Sequence, residues 1–376
     1  MNRQVLDLLW NYIERPIMTS FILWSLGFAL MLIAGKPLVH WLKYRKGMKW
    51  APREDTPDTH LQKAGVPSMG GIGIVGAATV AWIAYWAFVD SIYRFAGGVS
   101  SYKDLALFAI FPLLVLLHAC LGYLDDYSKA TNKGGLSSKA KFLGQVVLAT
   151  LFLGILYFIG TKTGSQLFIT SPKGQLMPWE SPLFSSWALI LVALLIIIGT
   201  SNAVNLTDGV DGLAAGLSVQ IGLAFAIIYL DNQSPSSFAR SAVFFFWPAL
   251  GGACLGFLAF NKYPAKVFMG DTGSLALGAA LGAGAILTRT VWLLPFIGFV
   301  FYVEMFSVIA QVLYFKYTRR KFGEGKRLLR RAPLHHHFEL GGWSEWRVVG
   351  TFWAVNLATT IVGLVLWKMG ILPRFP

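Results

Sequence analysis

The sequence predicts an all-α integral membrane protein with ten transmembrane helices. Of its 376 residues, 55% are apolar and 13% are charged, whereas soluble domains carry roughly 25% charged residues. Ten apolar runs, each near the length of about 20 residues that spans a bilayer, begin near positions 17, 70, 105, 142, 184, 213, 241, 273, 293 and 348. The runs are unbroken and do not alternate as strands of a membrane barrel would, so helices are expected.

The lysine and arginine residues predict the orientation of these helices. Of the 32 basic residues, 21 fall in alternate connections: 43–68, 125–141, 203–212, 261–272 and 316–347. The positive-inside rule places this set in the cytoplasm and both termini in the periplasm. The first run lacks a cleavage pattern after it, so we interpret it as a retained helix. The whole chain, 1–376, is then one polytopic domain, and its net charge of +14 indicates anionic partners such as lipid headgroups, nucleotides and phosphates, but not nucleic acid.

Two connecting segments suggest local structure. Alternation around Gly and Pro predicts a short outer hairpin over residues 160–182. In the segment 316–339, two leucines lie among Lys326, Arg330 and Arg331, which predicts a short basic helix on the membrane surface. No internal repeat is visible, which argues against an inverted-repeat transporter.

The third run ends in "LLHACLGYLDDYSKATNKGG", where Asp125 and Asp126 are adjacent. Like charges repel, and acids at the C-terminal end of a helix oppose its dipole, so the pair needs a cation. Mg²⁺ with phosphate oxygens is the usual partner. Lysines for phosphate follow directly, namely Lys129, Lys133, Lys139 and Lys141. The pattern favours a diphosphate site over the alternative, a solvated loop.

Polar residues recur every third position in "SNAVNLTDGVDGLAAG". Asn202, Asn205, Asp208 and Asp211 would form a polar ribbon on a helical turn, suited to a base or a sugar. The alternative, that Asp211 caps the next helix, explains only one of the four.

The segment "FNKYPAKVFMGDTGSLALG" places Asp271 at the start of the eighth run. Asp271 is either the N-cap of this helix or a metal ligand. Asn261, Lys262 and Lys266 are close in sequence, which favours the metal ligand. Phe268 could stack on a ring.

Three further patterns are candidates. "PLHHHFE" carries His335, His336 and His337, which can donate to phosphate or move a proton, with Glu339 as an orienting partner. The alternative is the end of an interfacial helix, and zinc is disfavoured since adjacent His cannot easily share a tetrahedral site.

Glu304 is an acid well inside a run and is either functional or structurally paired. Lys63 and Ser68 precede a Gly-rich helix start, where phosphate contact is plausible.

Taken in order, these segments resemble the phospho-N-acetylmuramoyl-pentapeptide-transferase family, within the wider polyprenyl-phosphate sugar-1-phosphate transferases. The resemblance runs from about residue 40 onward and is carried by "KAGVPSMGG", "LGYLDDYSK", "GLSSKAK", "NAVNLTDGVDGLAAG", "FNKYPAKVFMGDTGSLALG", "VEMFSVIAQV" and "PLHHHFE". The last of these indicates the muramoyl-pentapeptide branch.

The resemblance implies ten transmembrane helices, outer termini, an active-site cleft facing the cytoplasm of a bacterial inner membrane, and a homodimer. It implies Mg²⁺-dependent transfer of phospho-MurNAc-pentapeptide from UDP-MurNAc-pentapeptide to undecaprenyl phosphate, the first membrane step of peptidoglycan synthesis, which yields lipid I and UMP. Membrane lipids are further partners. A GlcNAc-1-phosphate transferase and, from another class, a phosphorylated-solute transporter stay open as alternatives.

The resemblance also implies roles for single residues. Asp271 is the expected Mg²⁺ ligand, and one of Asp125 and Asp126 is a candidate base beside the lipid phosphate. Catalytic roles extend to the three histidines, His335 to His337. The expected substrate-binding residues are Lys63, Ser68, Lys129, Lys133, Lys141, Asn202, Asn205, Asp208, Asp211, Asn261, Phe268 and Gln311, among which Asn205, Asp208 and Phe268 hold the uridine. Direct attack by the lipid phosphate and a covalent phospho-enzyme on Asp271 are both possible.

Overall fold

The computed structural model describes residues 16–44, 65–95, 102–131, 134–163, 186–231 and 238–372. Over these residues the chain is helical, and ten helices are long and apolar enough to cross a membrane. They are α1 (Pro16–Tyr44), α2 (Gly71–Phe95), α3 (Tyr102–Ala130), α4 (Ser138–Thr163), α5 (Ser186–Thr207), α6 (Leu213–Asp231), α7 (Phe238–Asn261), α8 (Gly270–Leu287), α9 (Phe299–Phe322) and α10 (Glu345–Lys368). The predicted all-helical membrane fold is confirmed. Most of the predicted outer hairpin, residues 164–182, lies outside the described residues.

Helix α8 is the centre of the bundle. Every residue from Thr272 to Leu287 is buried, and α3 and α5 pack against it. Small residues permit this close approach, because a Cβ on Gly122 of α3 would collide with the Asp271 backbone, and one on Gly278 would collide with the backbone of α5. The packing brings the C-terminal ends of α3 and α5 to the N-terminus of α8, where the predicted site residues are concentrated.

The ninth helix begins later than its apolar run. The run starts near 293, but residues 291–293 form a 3-10 turn and Leu294–Ile297 a separate short helix, and α9 starts at Phe299 after the non-helical Gly298. Pro295 restricts the backbone here. Asn356 of α10 pairs the backbone groups at this break, since it accepts from the Val300 N–H (3.2 Å) and donates to the Ile297 carbonyl (3.1 Å).

The predicted basic surface helix is wrong. Helix α9 ends at Phe322, because the following Gly323 has a φ of 79°, and residues 323–333 form no helix. The segment folds back along α9 instead, because side chains of α9 take up its backbone N–H groups. The backbone N–H of Lys326 donates to Thr318 Oγ1 (2.8 Å), and the backbone N–H groups of residues 328 and 329 both donate to Gln311 Oε1 (3.0 and 2.9 Å). It leads into the histidine helix, defined here as Leu334–Glu339.

Candidate active site

Two carboxylates and two ammonium groups meet at the N-terminus of α8. Lys129 Nζ lies 2.7 Å from Asp125 Oδ2 and 3.1 Å from Asp271 Oδ2, and Lys141 Nζ lies 3.3 and 2.6 Å from the same two oxygens. Three helices contribute, since Asp125 and Lys129 lie at the end of α3, Lys141 at the start of α4 and Asp271 in the first turn of α8. We call these four residues the carboxylate–lysine cluster.

The cluster is charge-balanced and open on its lysine side. The Asp125 side chain is 1% exposed and that of Asp271 13%, whereas Lys141 and Lys129 are 20% and 35% exposed. The ammonium groups therefore lie between buried acids and the surroundings. This arrangement excludes the solvated-loop alternative for Asp125, which is buried in a helix.

Asp126 has different partners from its neighbour Asp125. Its Oδ1 accepts from the Asp271 N–H (3.1 Å), and its Oδ2 accepts from the Thr272 N–H (2.9 Å) and the Thr272 hydroxyl (2.7 Å). The N-cap residue of α8, Met269, forms no side-chain cap. Asp126 thus caps α8 from α3, with its negative charge at the positive end of the helix dipole. The alternative that Asp271 caps its own helix is wrong.

Ser68 and Gly270 pack against this cap. Gly270 has a φ of 73°, and a Cβ there would lie 2.5 Å from Asp126 Oδ2 and 2.7 Å from Ser68 Oγ, so only glycine fits without displacement. Backbone hydrogen bonds join the two loops, since Gly70 donates to Phe268 (2.8 Å) and Phe268 donates to Pro67 (2.8 Å). Ser68 and half-buried Phe268 are therefore fixed beside the cluster, whereas Lys63 and Lys133 lie outside the described residues.

Asn205 and Asp208 complete the cluster from the end of α5. Asn205 Nδ2 donates to Asp271 Oδ1 (2.9 Å) and to Ser274 Oγ (2.8 Å). Asp208 follows α5 in a turn and accepts from the Gly270 N–H. Burial and the nearby charges of Asp271 and Asp126 raise the pKa of Asp208 well above its usual value. A proton on Asp208 would relieve that repulsion.

The other members of the predicted polar ribbon point elsewhere. Asn202 donates to Gln145 Oε1 (2.9 Å), one turn below the cluster. Asp211 accepts from the Ala265 N–H (2.9 Å) and so supports the loop before α8. Because α5 ends at Thr207, the four ribbon residues do not share one face, and the prediction of a single ribbon is wrong.

Asn261 and Gln311 also hold backbone segments. Asn261 Oδ1 accepts from the Gly212 N–H (3.1 Å), and its Nδ2 donates to the Val267 carbonyl (2.9 Å). Gln311 fixes the segment after α9, as described above. Substrate contact by these two residues stays a prediction, while the structure assigns both a role in loop conformation.

The sequence reasoning missed Gln145 and Ser201. Gln145 Nε2 donates to Ser201 Oγ (3.1 Å), and Ser201 Oγ donates to the Leu275 carbonyl (3.1 Å). These contacts join α4, α5 and α8 one turn below Lys141, Asn205 and Asp271. Polar residues inside apolar runs, four positions from the motif residues, were the signal that could have identified them.

The three histidines have three different environments. His336 Nδ1 lies 2.8 Å from Glu339 Oε2, which confirms Glu339 as an orienting partner. Burial lowers the pKa of His336, and the Glu339 carboxylate opposes that shift. His337 Nδ1 accepts from the Arg330 N–H (3.1 Å). His335 is wholly buried, and its ring packs against Gly209, next to Asp208.

Comparisons with known proteins agree with this architecture. The family model for glycosyl transferase family 4 matches residues 107–289, which include most of α3, all of α4 to α8 and the carboxylate–lysine cluster. The chain is 40% identical over 347 residues to the phospho-N-acetylmuramoyl-pentapeptide-transferase of Listeria welshimeri, covering 92% of this chain and 95% of the relative. The enzymes of the same name from Bacillus pumilus (40% over 356 residues; 94% and 98%) and Bacillus subtilis (39% over 344 residues; 91% and 95%) are similarly close. The chain belongs to the phospho-N-acetylmuramoyl-pentapeptide-transferase family.

Proposed function

We propose that this protein transfers phospho-MurNAc-pentapeptide from UDP-MurNAc-pentapeptide to undecaprenyl phosphate, forming lipid I and UMP. The observation that carries the proposal is the carboxylate–lysine cluster, in which Lys129 and Lys141 are held by buried acids and remain partly exposed. Two fixed ammonium groups can bind the oxygens of a diphosphate without losing their positions. The names of the relatives supply the substrate class.

Mg²⁺ fits the donor set of this site. Mg²⁺ retains several waters and takes one or two carboxylates together with substrate phosphates, so a cage of protein ligands is not required. Indeed, the described residues contain no group of three His, Cys, Asp or Glu side chains placed to hold a metal. Asp271 would hold the ion, with Asp125 and the Asn205 amide oxygen as neighbouring hard donors. When bound, Mg²⁺ would neutralise charge on the diphosphate as UMP departs.

Direct attack by the lipid phosphate is the favoured route. The second pKa of a phosphate monoester is about 6, so the acceptor is largely ionised near neutral pH. One of its oxygens bonds to the sugar-bearing phosphorus, the bond from that phosphorus to the UMP oxygen breaks, and UMP leaves with the electron pair. Lys129 and Lys141 orient the diphosphate. Hydrogen bonds from Lys141 and Asn205 to its two oxygens lower the nucleophilicity of Asp271, while the second lone pair of Oδ1 can still bind Mg²⁺.

The side of the membrane and the assembly are part of this proposal. The excess of basic residues in alternate connections supports a cytoplasmic cluster and periplasmic termini in a bacterial inner membrane. The three motif regions at the ends of α3, α5 and α8 share one end of the bundle, as a single-sided site requires. A homodimer is proposed on the family resemblance.

The test is UMP release by the purified protein in detergent. We expect release that needs UDP-MurNAc-pentapeptide, undecaprenyl phosphate and Mg²⁺ together, and that stops on chelation. Release with UDP-GlcNAc but not with the muramoyl substrate would move the protein to the sister branch. Absence of release with both sugars in folded protein would contradict the proposal and favour transport. Exchange of labelled UMP into the UDP-sugar without lipid acceptor would overturn direct attack.

A further inference from the structure

His335 is held from one side by a buried acid of α9. Glu304 and His335 are both 0% exposed. Glu304 Oε1 accepts from the His335 backbone N–H (3.1 Å) and lies 3.2 Å from His335 Nδ1. The N-cap residue of the histidine helix, Pro333, has no side chain that can accept from the first turn. Glu304 therefore takes the place of the missing cap and fixes the start of this helix to α9.

The other side of the His335 ring meets the turn after α5. A Cβ on Gly209 would collide with His335 Nε2. Gly209 directly follows Asp208, and Asp208 accepts from the N–H of Gly270, the residue before Asp271. A continuous line of contacts thus runs from Glu304 through His335 and Gly209 to the carboxylate–lysine cluster.

Stability alone does not explain this buried pair. Within the described part of the chain, Glu304 Oε2 and His335 Nε2 have no hydrogen-bond partner. Buried polar atoms without partners destabilise a fold, and an apolar pair of the same volume would avoid that penalty. Only one oxygen of Glu304 is used, and it is used for placement of the histidine helix.

We propose that Glu304 and His335 are positioning residues that set the separation between the Asp208–Gly209 turn and the histidine helix. This separation fixes His336 relative to Asp271 and the two lysines. The inference rests on the proposed transfer reaction and replaces the direct chemistry predicted for His335, whose ring is enclosed by protein. Gly209 is part of the same contact, since the absence of a side chain there makes room for the His335 ring.

The experiment is a double-mutant cycle between positions 209 and 335, read as kcat and KM for UMP release. Gly209→Ala pushes the turn away from the ring, and a displacement near 1 Å can lower a rate by about 100-fold. We expect kcat to fall by about 10- to 100-fold, with a smaller change in KM for the UDP-sugar. Gly199→Ala in α5 is the matched control, because nothing lies within 4 Å of a Cβ there.

The cycle separates a shared contact from general damage. In a His335→Ala background the ring is gone, so adding Gly209→Ala should change kcat by less than about twofold. Equal fold-losses in the two backgrounds would overturn the proposal, as would a rise in KM with kcat unchanged. Thermal unfolding of each variant in detergent confirms that folded proteins are compared.

Two variants of Glu304 test the placement role directly. Glu304→Gln keeps an oxygen for the His335 N–H and should retain kcat within about threefold, whereas Glu304→Ala should match His335→Ala. A Gln variant as inactive as the Ala variant would contradict positioning by this hydrogen bond. Failure of the wild-type protein to release UMP would refute the proposed function instead, so the two failures are distinguishable.

Discussion

Two acid–base groups in this protein are built from similar residues but have opposite designs. In the carboxylate–lysine cluster, both Asp125 and Asp271 contact both lysines, and the lysines are partly exposed. In the Glu304–His335 pair, both side chains are enclosed and several polar atoms lack partners among the described residues. The first group can exchange contacts with an anionic substrate, whereas the second can only hold neighbouring elements in place. In our proposal, the partial exposure of the two lysines distinguishes the reacting group from the pair that supports it.

The largest effect should follow loss of Asp271, one of the two acids that contact both lysines. Asp271→Asn removes one of the two negative charges that contact Lys129 and Lys141. The same substitution removes the proposed Mg²⁺ ligand. We expect kcat for UMP release to fall by about 10³-fold, as for other fixed electrostatic contacts in active sites. Glu324→Gln, on the exposed segment after α9, is the control and should leave kcat unchanged.

The two lysines should differ in importance. Lys141 lies nearer to Asp271 than Lys129 does (2.6 against 3.1 Å) and is less exposed. Lys141→Gln should therefore lower kcat/KM by about 100-fold and Lys129→Gln by about 10-fold, because screening by solvent weakens exposed charges. The reverse order would show that the geometry of the cluster does not govern substrate binding. Exposed Lys316→Gln serves as the control.

Asp126 should affect stability, whereas the proposed role of Asp125 is to hold the two lysines for substrate binding. Asp126→Ala leaves the N–H groups of Asp271 and Thr272 buried without an acceptor. The free energy of unfolding should fall by about 1–3 kcal/mol. Denaturant titration of the protein in detergent measures this change. Asp126→Asn should lose less, since one amide oxygen still accepts; a loss equal to that of the Ala variant would contradict the capping role.

The smallest effect concerns pH and the histidine helix. Burial lowers the pKa of His336 below its unfolded value of about 6.5. The unfolded chain then binds more protons between the two pKa values, so His336 makes stability rise with pH up to about 6.5 and adds nothing further above it. His336→Gln should remove this part of the pH dependence, measured by unfolding from pH 5 to 8. An unchanged profile would show that His336 is solvated.

The sequence alone predicted the helices and a site formed by several motifs, but not which residue of each motif has which role. Apolar runs and charge asymmetry depend on local composition, so ten helices were predictable. Asp125 and Asp126 are adjacent in sequence, yet Asp125 contacts Lys141 of α4 and Asp126 accepts from the first turn of α8, and only the packing shows that one binds lysine and the other caps a helix. The contact of His335 with Gly209 is likewise non-local. The predicted start of α9 near residue 293 was too early, because the helix is interrupted before Phe299 and Asn356 of α10 accepts from the Val300 N–H there.

We propose that the carboxylate–lysine cluster reacts and that the Glu304–His335 pair supports it. The most direct test applies one chemical change, acid to amide, at both places and compares kcat for UMP release at saturating substrates. We expect a loss of about 10³-fold for Asp271→Asn and less than about threefold for Glu304→Gln. Losses of equal size, or a larger loss at Glu304, would overturn this assignment of roles.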